Sequence, residues 1–452
     1  MTCEVVPREC VRACACAAWT TFEVQIFCNM RAIHTVRSFR RLIHHSDGLP
    51  YRIRAPLAKL QASNAGATAQ ALPAGGLGDG EALESGVANP DYLSLTLRSR
   101  VYDHVTETPL QHAPALSERL GCTVHIKRED LQPAFTFFSR AAANELAMLK
   151  ASGVDTSERL VTPSVGSRGH ALAWAASKLG MDLTVVMPSI TPDTRREAVS
   201  RLGSTVRIHG ESIVECHMEA ARLQAEEGFR LVGSHDQPNV IAAGGTVGLE
   251  ILRQHGHAQT ALRRGDASAD SFGAPNAAAP QMARSAPTGK TDIDAIFIPV
   301  AGGSLLAGVA VAIKSISPST RIIAVEPERA NVLQRSLLSG HRLLDESSLN
   351  MNAEGVFVSQ IGAEVFRVCD ELVDDILLVS DDEIHRAVQD CFLDTRAVLE
   401  PAGAISIAGL RQYAEAQQAL RKKKPCPPES YVAIGSDASN IEFDFLSRVV
   451  QK

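Results

Sequence analysis

The stretch TVHIKREDLQPAFTFFSRAAANELAMLKASG, residues 123–153, indicates the fold of this chain. It begins with a β-branched run that favours a strand, and after a turn it continues into an Ala- and Leu-rich run with helical spacing. The same order returns at RLVTPS before GHALAWAASKLG and at LTVVMPS before TRREAVSRLG. Repeated strand–helix units predict an α/β fold with mostly parallel sheets that are covered by helices.

The turns after the predicted strands are where a ligand is expected, because such sheets bind ligands beyond the carboxyl ends of their strands. Two turns carry acidic residues whose predicted role is structural. Glu129 and Asp130 follow the first strand of the stretch and are expected to brace its turn. Glu400 and Pro401 open a later helix in the same way.

The composition is that of an ordinary globular protein and excludes several classes of function. Hydrophobic residues make up 45% of the 452 residues and charged residues 21%, so the chain can bury a large core. A formal net charge of -6 gives no reason to expect nucleic-acid binding by the core. No apolar run reaches the roughly 20 residues that span a membrane. The cysteines lack the paired spacing of a zinc site, so no metal is predicted.

Residues 1–60 have the composition of an organelle transit peptide. From Arg31 to Lys59 there are seven Lys or Arg and one acid, Asp47, and the stretch RAIHTVRSFRRLIHH places apolar residues at helical intervals between arginines. Arg-rich, acid-poor, amphipathic segments are typical of transit peptides. The pattern does not choose between mitochondrion and chloroplast. The alternative is a disordered basic tail that docks on an acidic partner.

Two further segments contain too few large apolar residues to fold by burial. Residues 61–90 are rich in Ala and Gly and are predicted to be a linker. Residues 260–291, which include DASADSFGAPNAAAPQMARSAPTG, are predicted to be an exposed, disordered insertion. An idle loop is favoured there over a tether for a partner.

Several of the turn segments resemble those of one enzyme family. KREDLQPAFTFFSRAAANE (127–145), SVGSRGHA (164–171), VAGGSLLAG (300–308) and IGSDAS (434–439) follow one another in the order found in threonine dehydratases. GTVGLEIL, VEPE, AEGVFVSQIG and EPAGAISIAGL lie between them, also in the order of the family. The resemblance extends over residues 92–448.

Threonine dehydratases are fold-type II pyridoxal-phosphate (PLP) enzymes, so the resemblance implies a two-domain α/β fold similar to that of tryptophan synthase β. It implies a larger domain made of residues 91–140 and 239–452, and a smaller α/β domain made of residues 141–238. It also implies a homo-oligomer. Some family members carry a C-terminal regulatory domain, and this chain, which ends at Lys452, is expected to lack one.

The resemblance also assigns the site residues. The first segment ends a strand and opens a helix with the lysine that the family joins to PLP as a Schiff base. Phe138 stands at that position, so no catalytic residue is predicted. The other three quoted segments are, in order, the substrate-carboxylate loop, the phosphate loop and the partner of the pyridine nitrogen. The implied cofactor-binding residues are Phe137, Ser167, Ala301, Gly302, Gly303, Ser304, Leu305 and Ser436, and those of the substrate loop are Ser164, Gly166 and Arg168.

These loops also depart from the pattern of the family. Ser167 and Arg168 replace an Asn-His pair, and Arg168 can still bind a carboxylate or phosphate with two hydrogen bonds or serve as a surface charge. Ala301 and Ser304 replace two glycines, and a Cβ there is expected to narrow the space for a phosphate. Asp437 replaces a glycine beside the pyridine-nitrogen partner, where a carboxylate repels a phosphate-bearing cofactor.

No other lysine is expected to replace the missing one. Lys150 lies twelve residues along the predicted helix from Phe138, about 18 Å at roughly 1.5 Å per residue, which is too far for a side chain to span. Lys127 precedes the turn, and Lys178 belongs to a different element.

In this family one lysine both tethers PLP and removes the α-proton of the substrate, so the sequence predicts a catalytically inactive threonine dehydratase-like protein. This pseudoenzyme is expected to bind no PLP covalently and to serve as a structural or interaction subunit in an organelle, with an unknown protein partner. The first alternative is an active PLP-dependent threonine ammonia-lyase that makes 2-oxobutanoate for isoleucine biosynthesis. The second is a protein that binds PLP or another phosphorylated ligand non-covalently.

Overall fold

The computed structural model describes residues 90–155, 157–263, 293–345, 358–421, 429–441 and 445. The predicted transit peptide (1–60), residues 61–89 of the predicted linker and residues 264–291 of the predicted insertion lie outside these ranges.

The described residues form ten strands and twelve helices, besides short 3₁₀ turns. The first half contains α1 (Tyr92–Leu97), β1 (Leu110–His112), α2 (Pro114–Leu120), β2 (Thr123–Arg128), α3 (Phe138–Ala151), β3 (Leu160–Pro163), α4 (Ser167–Leu179), β4 (Leu183–Met187), α5 (Asp193–Arg201), β5 (Thr205–Ile208), α6 (Ile213–Glu227) and β6 (Arg230–Leu231). The second half contains α7 (Pro238–Arg263), β7 (Ala295–Pro299), α8 (Ser304–Ile316), β8 (Arg321–Pro327), α9 (Val332–Ser339), α10 (Ala363–Leu372), β9 (Asp375–Val379), α11 (Asp381–Thr395), α12 (Pro401–Arg421) and β10 (Ser430–Gly435).

The larger sheet has six strands in the order β1-β2-β10-β7-β8-β9. β1 runs antiparallel to β2, and the other neighbours are parallel. The central strand β10 is buried along its whole length, as expected for a parallel strand that is covered on both faces. Its register pairs Ile434 with Lys127 and Gly435 with Arg128. The ends of β2 and β10 therefore lie side by side.

The smaller sheet has four parallel strands in the order β5-β4-β3-β6. β3 and β4, whose sequences LVTP and LTVVM are almost entirely apolar, are buried at every position. The edge strand β5 is largely exposed. The predicted α/β fold with mostly parallel sheets is confirmed.

Helix α7 differs from the prediction at its end and packs closely against α8. It continues to Arg263, so the predicted insertion does not begin at residue 260. The residues AQTALR there include Ala, Gln and Leu, which favour continuation of a helix. Close packing with α8 depends on Gly308, because a Cβ there would lie 2.2 Å from the main-chain oxygen of Ile241. A larger residue at Gly308 would force the two helices apart.

Two kinds of feature are absent from the ranges given above. None of their helices combines the length and apolarity needed to cross a membrane. No group of three or more His, Cys, Asp or Glu among those residues is arranged to hold a metal ion.

Candidate functional site

Segments that follow different strands meet at the carboxyl ends of the two sheets. After β2, the main-chain N–H of Phe137 donates to the carbonyl of Ser436, which follows β10, at 3.0 Å. The loop after β3 joins them, since a Cβ on Gly166 would lie 2.8 Å from the side chain of Asn440. Turns that are far apart in the sequence are therefore neighbours, as expected at the ligand-binding edge of such sheets.

The turn between β2 and α3 has an uncommon backbone conformation. Ala134 and Phe135 both have left-handed φ values, 59° and 56°, which residues with a Cβ rarely adopt. The carbonyl of Phe135 accepts the N–H of Ala438 at 2.9 Å. The N–H of Phe138, the first residue of α3, donates to Thr136 Oγ1 at 3.2 Å. These contacts fix the point at which the Phe138 side chain leaves the backbone.

The Phe138 ring lies in a small aromatic cluster. Its centroid is 4.1 Å from that of Phe137 and 5.7 Å from that of His235. It borders a cavity with a volume of about 10 Å³. That volume is at the lower limit for one water molecule. The remaining lining residues are Ala141, Ala142, Glu145, Arg168, Leu172, Gly233 and Val240.

Glu145 is the acidic residue that lines this cavity. Its carboxylate accepts the N–H of Gly233 at 2.9 Å. Burial raises the pKa of Glu145 to about 7, against the lowering effects of this hydrogen bond and of Arg168. A carboxyl group with a pKa near neutrality can gain or lose a proton under physiological conditions.

The predicted phosphate loop leads into the N-terminus of α8. Gly303 is the N-cap residue and has a left-handed φ of 80°, which explains the need for glycine there. Ser304 and Leu305 begin the helix and are buried, and Ala301 is half-buried. Helix N-termini of this kind favour anions.

Two glycines of the predicted phosphate loop pack against side chains from other segments. A Cβ on Gly302 would lie 2.4 Å from the His235 ring, and a Cβ on Gly303 would lie 2.6 Å from Val365. The His235 ring thus lies directly against the Gly302 backbone. The predicted narrowing at Ala301 and Ser304 stays a prediction, and Gly302 and Gly303 have no room for a side chain.

The predicted substrate-carboxylate loop uses its polar groups internally. The Ser164 hydroxyl accepts the N–H groups of Gly166 and Gly169 at 3.3 and 2.9 Å. The Arg168 guanidinium donates to the carbonyl of Gly233 at 3.0 Å and to that of Pro163 at 2.8 Å. Arg168 therefore ties the ends of β3 and β6 together. Ser167, the first residue of α4, lies near Asp437, and its hydroxyl lowers the pKa of that acid.

The lysines considered as substitutes lie elsewhere. Lys127 is fully buried, and its Nζ donates to the carbonyl of Thr108 at 2.6 Å and to Glu250 at 2.5 Å. Lys150 is exposed and donates to the carbonyl of Leu179. Lys178 is exposed near the C-terminal end of α4, whereas the loop of the site is at the N-terminal end of that helix.

Lys127 belongs to a buried cluster that we call the ion network, formed by Lys127, Glu129, Arg140 and Glu250. Arg140 binds Glu129 at 2.7 Å and Glu250 at 2.6 Å, and all four side chains are at most 1% exposed. Burial would raise the pKa of Glu129, but Arg140 and Lys127 outweigh it and hold the pKa below its ordinary 4.5. The role of Glu129 as a brace of the turn after β2 agrees with these contacts.

His235, Asn440 and the cavity residue Glu145 are among the site residues that were missed from the sequence. His235 follows β6, a strand of only two residues, which is too short to give a pattern. Asn440 lies one residue beyond the IGSDAS segment. Because ligands bind after strand ends, His235 could have been predicted if β6 had been recognised. Asn440 could have been predicted from its position after β10.

A profile for the family described as pyridoxal-phosphate dependent enzyme matches residues 101–426. This match includes the turn after β2, the loop after β3 and the loop before α8. The chain belongs to this family of pyridoxal-phosphate dependent enzymes.

Threonine dehydratases are similar to the chain over most of its length. The chloroplastic threonine dehydratase 1 of Solanum lycopersicum is 38% identical over 366 residues, which cover 81% of this chain and 53% of that protein. The mitochondrial threonine dehydratase of Schizosaccharomyces pombe is 35% identical over 363 residues, which cover 80% and 54%. Bacterial threonine dehydratases match at similar identity. The chain spans about half the length of these curated relatives.

The same similarity is found among solved structures. The processed form of threonine deaminase isoform 2 from Solanum lycopersicum superimposes with a TM-score of 0.67 at 35% identity, and the match covers 80% of this chain and 86% of that one. The resemblance to threonine dehydratases within the PLP-dependent enzyme family is therefore confirmed.

Members of this family use PLP, but Phe138 does not fit PLP held as a Schiff base at the implied lysine position. Phe138, at the implied lysine position, has no amine, and the His235 ring lies against Gly302.

Proposed function

We propose that this chain is a catalytically inactive relative of threonine dehydratase that keeps the fold of the family as a structural or interaction protein. The observation that carries the proposal is Phe138 at the start of α3, where the resemblance implies the PLP-binding lysine. A hydrocarbon ring can neither tether the cofactor nor take a proton. Loss of a positioned base alone lowers a rate by roughly 10²–10⁴-fold.

The surroundings of Phe138 support this proposal. The His235 ring lies against Gly302 of the phosphate loop, and the guanidinium of Arg168 is hydrogen-bonded to two main-chain carbonyls. Asp437 places a buried carboxyl group beside Ser436. The framework of strands and turns persists, while the groups around the implied cofactor position have changed together. That combination is expected where the shape of a protein is retained and its chemistry is not.

Incubation with PLP tests the proposal. Purified protein should develop no visible absorbance band from PLP joined to a lysine, and borohydride reduction followed by mass spectrometry should find no pyridoxyl group on any lysine. The matched positive control is the processed threonine deaminase of Solanum lycopersicum treated in parallel. A pyridoxylated lysine in this chain, at a stoichiometry near that of the control, would contradict the proposal.

The second candidate function is an active PLP-dependent threonine ammonia-lyase that makes 2-oxobutanoate for isoleucine biosynthesis. The names of the relatives favour it, since proteins 35–38% identical to this chain are threonine dehydratases. It requires a lysine other than one at position 138. Formation of 2-oxobutanoate from L-threonine that disappears in one single Lys→Met variant, with each other lysine variant as a control, would establish it.

A third candidate is non-covalent binding of PLP or another phosphorylated ligand. The left-handed Gly303 and the N-terminus of α8 favour it, because together they present main-chain N–H groups to an anion. Calorimetry with PLP and with pyridoxamine phosphate separates this candidate from the first. Equal affinity for both compounds would support it, since pyridoxamine phosphate has no aldehyde to react with a lysine.

The remaining features are also proposals. We infer that the two sheets mark the two domains implied by the resemblance, residues 91–140 with 239–452 and residues 141–238. An organelle location is supported by the basic segment before residue 60 and by the chloroplastic and mitochondrial relatives. We also propose that the chain binds a protein partner or forms a homo-oligomer. Identification of the proteins that co-purify with the native protein, and measurement of its mass in solution, would test both.

A further inference from the structure

Two buried carboxyl groups, Glu400 and Asp437, lie together where α12 begins and the segment after β10 passes over it. Glu400 is 3% exposed and Asp437 is 4% exposed. The N–H of Glu400 donates to the carbonyl of Asp437 at 3.2 Å, and a Cβ on Gly403 would lie 2.1 Å from that carbonyl oxygen. The main chains of the two acids are thus in direct contact where α12 packs beneath the segment. We call them the acid pair.

The two acids differ in the hydrogen bonds that they accept. Asp437 accepts the Thr136 hydroxyl at 2.7 Å, the Ser439 hydroxyl at 2.8 Å and the Ser439 N–H at 3.1 Å. The hydroxyl of Ser167 lies nearby and lowers the pKa of Asp437. So many donors are suited to an ionised carboxylate.

Glu400 has fewer donors. Its Oε2 accepts the N–H of Asn440 at 2.8 Å. Its Oε1 is buried and, within the part of the chain that the structure describes, accepts no hydrogen bond. Asp437 is nevertheless a neighbour of Glu400 that, besides burial, raises its pKa. A proton on Oε1 would satisfy both that oxygen and Asp437, whereas two ionised carboxylates in contact would repel each other without water to screen them.

We propose that Glu400 and Asp437 share one buried proton, held on Glu400 Oε1 and directed at Asp437, and that this acid pair locks the loop at Gly166–Ser167 to the segment after β10. The lock consists of the Ser167 contact with Asp437 and of the Asn440 side chain, which lies against Gly166. Loss of the proton leaves two adjacent negative charges and loosens the loop.

The groups that face the acid pair come from several elements. Arg195 of α5 contributes a positive charge that favours ionisation of Glu400, and the N-terminus of α12 has the same effect. Thr136 and Ser167 contribute hydroxyls from the turn after β2 and from α4. Burial and the proximity of the second acid outweigh Arg195, so the pKa of Glu400 is raised. Burial raises the pKa of Asp437 in the same way.

The direction of the pH effect follows from these raised pKa values. An acid whose pKa is higher in the folded than in the unfolded state binds more protons when folded. Its contribution to stability is therefore complete below the ordinary pKa values of 3.8 and 4.5 and is lost as the pH rises through the raised values. One retained proton makes the unfolding constant rise by up to about tenfold per pH unit across that range.

Equilibrium unfolding in urea at a series of values from roughly pH 5 to 8 tests the proposal. In the wild type the unfolding constant should rise by up to about tenfold per pH unit because of the shared proton. We expect Glu400→Gln to abolish this part of the rise, because the amide donates to Asp437 at every pH. Asp437→Asn should have the same effect. If the acids share one proton, the double variant should flatten the profile no further than either single variant. An unchanged slope in both single variants, or additive flattening in the double variant, would overturn it.

Glu326→Gln is the matched control. Glu326 is buried, and burial raises its pKa to about 7, but it accepts the N–H groups of Leu333 and Gln334 and belongs to a different part of the fold. Its effect on the slope should add to that of Glu400→Gln. Amide hydrogen exchange gives the second readout, since exchange at Gly166 and Ser167 should accelerate with pH in the wild type beyond its intrinsic rate. In Glu400→Gln that additional acceleration should be absent.

Discussion

The ion network and the acid pair are both buried clusters of charged residues, but they differ in charge balance. The ion network contains two cations and two acids in direct contact, at distances of 2.5 to 2.7 Å. The acid pair contains two acids in contact with neutral donors, with Arg195 as the facing charge. Balanced charges can all remain ionised when buried, whereas adjacent acids with fewer cations retain a proton. The two clusters should therefore respond to mutation and to pH in opposite ways.

The largest effect is expected when the balance of the ion network is broken. Glu250→Gln leaves Lys127 and Arg140 buried with one acid between them, and loss of one partner of a buried ion pair destabilises by about 3–5 kcal/mol. Urea unfolding near neutral pH measures the change. The control is Glu226→Gln, which removes an exposed partner of Arg222 on α6 and should change little. A similar stability for both variants would contradict the role given to the balance of charge.

The next effect concerns the donors that surround the acid pair. Asp437→Ala leaves the buried hydroxyl of Thr136 without its acceptor, which costs about 1–3 kcal/mol. Asp437→Asn keeps an acceptor oxygen and removes the charge, so it should cost less. Urea unfolding at the acid end of the pH series, where the acid pair holds its proton, compares the two. An asparagine variant less stable than the alanine variant would show that charge, and not hydrogen bonding, is what the site requires.

The fold was predictable because its signals are local and repeated. Buried runs such as LVTP and LTVVM, each followed by a helical pattern, are sufficient for a parallel α/β fold. The convergence of the turns also followed, since strand ends meet at one edge of a sheet. The contacts within the site did not follow. Lys127 and Glu250 are 123 residues apart, and no pattern in the sequence pairs them.

The roles of individual site residues were harder to predict. Arg168 is predicted to be a carboxylate ligand or a surface charge; it binds two main-chain carbonyls, and a role in ligand binding stays a prediction. Asp437 was expected to repel a phosphate group, and its hydrogen bonds to Thr136 and Ser439 depend on side-chain placement that composition does not encode. Glu400 was expected to open a helix, and its contact with Asp437 adds a second role.

Acid pH provides the next test of the comparison. Because the pKa of Glu129 is held below 4.5 in the folded state, its contribution to stability is present above that value and is lost as the pH falls below it. The wild type should lose up to about 1.4 kcal/mol per pH unit in that range from this one group. Glu129→Gln should flatten this acid limb and leave the slope above pH 5 unchanged. Glu400→Gln should flatten the slope above pH 5 and leave the acid limb unchanged. If either variant flattened both limbs equally, the contrast between the ion network and the acid pair would be contradicted.

The smallest effect is expected on activity. Phe138→Lys restores an amine at the implied position, yet it should give no 2-oxobutanoate from L-threonine above the wild type. His235 still lies against Gly302, and Asp437 still places a carboxyl group beside Ser436. Among the residues that line the cavity, Glu145 is the one acid that could pair with the new ammonium. The ion network, by contrast, has two acids for its two cations. The new lysine should therefore be held by Glu145 or turn towards solvent.

A continuous assay for 2-oxobutanoate with PLP in excess measures the outcome for Phe138→Lys. Phe138→Met is the matched control, since it changes the packing of the cluster and adds no amine. Further addition of His235→Asn and Asp437→Gly to Phe138→Lys should open the space over Gly302 and remove the carboxyl group. If the single variant already shows turnover that the methionine variant lacks, then the surrounding changes do not block the site, and the missing amine alone separates this chain from its active relatives.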